Sequence, residues 1–190
     1  MRSTTPKNAR WQTLAGLPLL IAASAVLTAW FACITPFVAF AVLAATALSR
    51  RGALGLIVAV WIANQAVGFG VLHYPWTGNS VAWGVAIGSA AVIGTLTAQW
   101  TIIRLGSSRS AVQALAAFVS SFALYELALY AVAVSLLGGT RGFTVPIVGQ
   151  VLVVNAATLV GLYGLNQVVT VGTGYLARRR SGLASPARLA

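Results

Sequence analysis

Apolar residues fall in six long runs, Leu14–Ile34, Phe37–Leu48, Ala53–Leu72, Val81–Ile103, Ala111–Leu137 and Val145–Val171, with polar residues gathered in the breaks between them. A helix that crosses a bilayer needs about 20 apolar residues, a length that every run except the second approaches. In lipid no water satisfies backbone N–H and C=O groups, so runs of this kind are helical. The pattern predicts an all-α integral membrane protein. Its bundle of six transmembrane helices occupies residues 1–172, and a frayed basic tail follows at 173–190.

The breaks alternate in charge, and this sets the orientation. Arg2, Lys7 and Arg10 precede the first span, Arg50 and Arg51 join the second to the third, Arg104 and Arg109 join the fourth to the fifth, and Arg178, Arg179, Arg180 and Arg188 lie in the tail. Of the 12 basic residues, Arg141 alone falls on the other side. Basic residues in short loops stay in the cytoplasm. Both termini are therefore expected inside a bacterial cytoplasmic (inner) membrane, with loops at Thr35–Pro36, His73–Ser80 and Gly138–Thr144 outside.

A net charge of +11 suggests a nucleic-acid partner only until its distribution is considered. The charges sit at helix ends without interleaved aromatics on a polar stripe, and the chain is 59% hydrophobic and 7% charged. Membrane lipid is the expected partner, and nucleic acid is not. The first thirty residues resemble a secretory signal, but their apolar stretch exceeds the usual length, and retaining it gives the even span number that the charges require. Cys33, the single cysteine, follows Trp30, Phe31 and Ala32 rather than a lipoprotein pattern, and one cysteine makes no internal disulfide.

Small residues recur in Ala82–Gly94 and Ala111–Ala117, and Ala25 and Ala29 lie four apart. Such spacing lets helices approach closely in lipid, where association depends on van der Waals contact. Packing of the six helices on one another is the commoner use, and a docking face for a second protein is the other. No internal repeat supports an inverted-repeat transporter.

Polar groups within spans cost free energy and carry the functional information. Glu126, the only acidic residue, lies near the middle of the fifth span and must face the bundle interior or a cavity. It serves either as a proton, cation or amide-donor site, or as a structural carboxylic acid bonded to another helix. Asn64 and Gln65 lie two turns from an external loop, where they can line an outward pocket. Asn155, Asn166 and Gln167 are amides of the kind that tie helices together. No paired carboxylates, HExxH, GxSxG or Cys/His cluster is present, which argues against an enzyme. No GxxxxGK[ST] sequence is present to couple ATP.

The stretch from Trp61 to Asn79 runs a glycine-containing helix end into an aromatic, proline-broken turn with the chain's only histidine. Tyr74, Trp76 and Trp83 are explained as interfacial anchors. His73 lacks the companions that hold a free metal ion, but one imidazole suffices as an axial ligand to a metal already held in a macrocycle.

Over Asn64–Pro75, which includes Gly68, Phe69, Gly70 and His73, the chain resembles the BtuM family, solitary substrate-binding components related to those of energy-coupling-factor transporters and implicated in cobalamin uptake. The resemblance implies a six-helix bundle with a corrinoid pocket at its external end and a protein ligand to cobalt. It also implies a coupling face at Ala25 and Ala29 for a separate energising module. A member of the family uses a cysteine as the cobalt ligand, whereas Cys33 lies at the outer end of the first span, so His73 becomes the candidate by position and Cys33 the alternative. Thiolate-dependent removal of the upper cobalamin ligand is then not implied. Asn64, Gln65, Phe69, Tyr74, Trp76, Glu126, Tyr130 and Asn155 are of the types suited to a large, amide-fringed, partly apolar ligand. A small ion or metal permease and a non-catalytic membrane assembly protein are the competing functions.

Overall fold

The computed structural model describes the backbone of residues 35–106 and 110–183, and side chains over 35–106 and 111–164. The expected first span, with Ala25, Ala29 and Cys33, lies outside the described residues, as does Arg109. Among the described residues there are helices and no strand.

Helix α1 (Phe37–Ala47) is apolar on every face, and a helix of that kind belongs in the interior. Every residue from Phe37 to Ala44 is buried, and α1 touches all four other α-helices. Its 11 residues span only about 16 Å of a hydrocarbon core about 30 Å thick. It is therefore the axis of the bundle and too short for a complete crossing. Thr35 and Pro36, expected as an external connection, are buried with it.

Among the described residues four helices are long and apolar enough to cross a membrane: Arg50–Val71, Gly78–Leu105, Ala111–Leu137 and Val145–Gly164. Ser49 caps α2 (Arg50–Ala66) by accepting from the Gly52 N–H. The helix then widens into a π-helical turn at Val67–Val71. There the Tyr74 ring lies against Gly68, where a Cβ would stand 2.9 Å from ring carbons, so that position is closed to larger residues. Thr77 caps α3 (Gly78–Leu105) by accepting from Ser80 N–H at 3.2 Å.

Glycines on α3 seat the side chains of α2. A Cβ at Gly84 would meet Gln65 Oε1 at 2.5 Å, and one at Gly88 would meet the Trp61 indole at 2.7 Å. Trp61 Nε1 donates to the Gly84 carbonyl at 2.8 Å. Ser121 of α4 (Ser110–Val132) donates to the Gly94 carbonyl at 2.6 Å across the most extensive helix pairing of the fold. The small residues of Ala82–Gly94 thus pack helix on helix.

A second π-helical turn, Ala133–Leu137, leads through Gly138 and Gly139, both at positive φ, to a 3-10 turn at Thr140–Phe143. Helix α5 (Val145–Leu183) follows, with Pro146 in its first turn where no N–H is needed. Its backbone is helical past Arg180 to Leu183, and so runs through the first part of the tail expected from Thr173. The antiparallel order puts Arg50, Arg51 and Arg104 at one end of the bundle. His73–Thr77 and Gly138–Phe143 lie at the other.

Candidate functional site

A helix that starts inside a membrane bundle exposes N–H groups where water is scarce, so the start of α1 must be satisfied by protein. Pro36 has no N–H to satisfy, and Phe37 N–H donates to the Thr35 carbonyl at 2.8 Å. Val38 and Ala39 N–H both donate to Asn155 Oδ1, at 3.0 and 3.2 Å. Asn155 is fully buried on α5, and its Nδ2 donates back to the Val151 carbonyl at 2.9 Å. Its side chain caps a neighbouring helix and is fully engaged there.

Beside this interior helix end lies a cavity of about 370 Å³. Phe37, Trp83, Tyr125 and Phe143 give it aromatic walls, Gly139 and Gly142 bring the loop after α4 over it, and Thr35, Asn64 and Glu126 supply its polar groups. Asn64 Nδ2 donates to Thr35 Oγ1, and Gln65 Nε2 donates to Asn64 Oδ1 at 3.1 Å, so a short polar relay runs from α2 to the start of α1. Glu126 is half-buried on the cavity wall. Among the described residues no hydrogen bond or ion pair reaches its carboxyl.

The residues singled out in the sequence divide into two groups in space. Asn64 and Glu126 line the cavity, and Gln65 supports Asn64 from behind. The aromatic turn forms a separate cluster, with Phe69 stacked on Trp76 at 4.4 Å between ring centres and edge-on to Tyr74 at 6.2 Å. Trp76 is exposed, and Tyr130 packs edge-on against Phe143 at 5.4 Å instead of lining the cavity. His73 is exposed on the turn with φ 54°, and it is not among the cavity's residues. No group of three His, Cys, Asp or Glu side chains gathers to hold a metal ion among the described residues.

Sequence reasoning missed Thr35, Phe37, Trp83, Tyr125 and Phe143. Leu129 was legible, because it lies three residues beyond Glu126 on the same helix face. The others converge from four elements, and no local pattern marks that. Chemically, a single carboxyl among aromatic walls with an amide and a hydroxyl nearby accepts N–H donors and attracts cations. The chain matches no family model, no curated protein and no solved structure.

Proposed function

We propose that this protein is a transport component of a bacterial inner membrane that binds its ligand from the external side in the cavity beside Glu126. In this reading both termini are cytoplasmic, and the bundle holds six helices of which the enclosed α1 is too short to cross the bilayer by itself. The clustering of Arg50, Arg51 and Arg104 at one end of the bundle supports that orientation, because arginines stay inside. The observation that carries the reading is the position of the only acidic side chain in the sequence, at a cavity wall and without a protein partner among the described residues. A group so costly in a membrane is retained where a ligand completes it.

Cobalamin is the ligand that the resemblance over Asn64–Pro75 implies, and its fringe of amides suits Glu126 and Asn64. The macrocycle is larger than a cavity of about 370 Å³. One amide arm then enters while the ring lies at the mouth, with His73 on the neighbouring turn, or Cys33, offered to cobalt. An energising module acting through Ala25 and Ala29 belongs to the same reading. The small volume and aromatic walls favour a second ligand class, an organic ammonium ion held by Glu126 and ring faces.

Titration of the purified full chain with cobalamin, followed by visible absorption, tests the proposal. Wild type is expected to perturb the corrinoid spectrum, and Glu126→Gln to bind about tenfold more weakly through loss of a charge-assisted hydrogen bond. A spectrum indifferent to His73→Ala but changed by Cys33→Ala assigns the cobalt to the thiolate. If cobalamin has no effect while tetramethylammonium raises thermal stability in a Glu126-dependent way, the ammonium reading holds. Indifference to both ligands overturns the function.

A further inference from the structure

At the end of the bundle opposite Glu126 lies a second cavity, of about 490 Å³, between the close of α1, the first residue of α2 and the last turns of α3. Its apolar lining includes Leu48 and Ile103, and its polar members are Arg50 and Gln99. Gln99 is a lining residue, and its buried Oε1 accepts no hydrogen bond from the described residues. Trp100, also on the lining, is largely exposed and carries the Arg104 guanidinium over its ring at 5.2 Å. Ile103 is 77% exposed, so the cavity opens toward the surface that faces lipid.

Two deficits meet at this place. The chain has one acidic residue, and it lines the other cavity, so no carboxylate side chain of this protein pairs with Arg50. The buried Gln99 oxygen lacks a donor. A ligand that answers both brings a negative charge and a hydroxyl, joined within the span of one small cavity, on a body that sits in lipid. We infer that this cavity binds a phospholipid of the phosphatidylglycerol type. Its phosphate pairs with the Arg50 guanidinium, which matches phosphate geometry in a fork. Its glycerol headgroup turns into the cavity, where a rotation of the Gln99 side chain brings the buried Oε1 to accept a headgroup hydroxyl. The acyl chains run along Ile103 and Trp100. Phosphatidylcholine has the phosphate, but its own trimethylammonium offsets the charge and competes for it, and its headgroup has no donor for Gln99.

Native mass spectrometry of the full chain in neutral detergent, with phosphatidylglycerol and phosphatidylcholine supplied together, measures the preference. Wild type is expected to retain phosphatidylglycerol about fivefold over phosphatidylcholine, the selectivity of one arginine at a membrane surface. Gln99→Met, which keeps the shape without the acceptor, and Arg50→Gln are each expected to reduce the ratio toward one, and Arg51→Gln, outside the cavity, to leave it unchanged. Equal retention of the two lipids by wild type overturns the site. So does a preference that survives both cavity variants, or one that Arg51→Gln removes as fully as they do. Thermal stabilisation by inorganic phosphate as large as that by the lipid assigns the cavity to a soluble anion and overturns the lipid.

Discussion

Among single residues, Asn155 ties two helices together through its carboxamide. One carboxamide oxygen takes both N–H groups that α1 leaves open inside the bundle, and it joins α5 to the axis of the molecule. Asn155→Ala strands two buried donors and is expected to cost about 2–6 kcal/mol, since each unsatisfied group costs about 1–3. Asn155→Asp retains an acceptor and is expected to preserve most of the stability. Thermal melting of the purified variants checks both, and an unchanged midpoint in Asn155→Ala removes the capping role. Glu126 differs from it in that its residue lies on a cavity wall while the Asn155 amide is spent on backbone.

At the scale of elements, α1 explains why so short an apolar run occurs among long ones. A span that meets lipid must match the bilayer, but a helix enclosed by four others need only match their interior. Its first residue then stops short of one end of the bundle, and the space beside it, bounded by α2, α3, α4, α5 and the loop after α4, is the cavity that holds Glu126. This placement predicts chemical access. With Cys33 replaced by alanine, a cysteine introduced at Ala41 is expected to resist thiol reagents supplied from either side, whereas one at Ala47, which is exposed, reacts. Labelling at Ala41 comparable to that at Ala47 contradicts the enclosed axis.

For the whole molecule, the proposed topology follows from the distribution of arginines. Reporter fusions after Arg51, Ser110 and Ala190 are expected to read cytoplasmic, and fusions near Thr77 and Arg141 external. Reversal at any two of these positions overturns the orientation and with it the external route to the cavity. The two cavities would then exchange sides, and the basic end of the bundle would meet the outer leaflet.

The helices were legible along the chain because length and hydropathy are local properties: the described spans fall within a few residues of their apolar runs, and Ser49, Thr77 and Gly106 mark their ends. Glu126 was legible as a costly group for the same reason. Three matters were decided only by packing. Phe37–Ala47 reads as a deficient span and is the enclosed axis, because burial depends on neighbours and not on its own composition. Asn64 and Gln65 remain near the candidate site while Tyr74 and Trp76 leave it, because the π-helical turn at Val67–Val71 rotates the following chain and Gly68 lets Tyr74 fold back. Asn155 reads as a ligand contact or a generic helix tie, and its role as a cap depends on the open N–H groups of a helix more than a hundred residues away. Local sequence determines which segments are helical and apolar, since each residue carries its own transfer free energy. The partner of each buried polar group is settled by the tertiary structure, since a hydrogen bond needs two groups that the chain alone does not bring together.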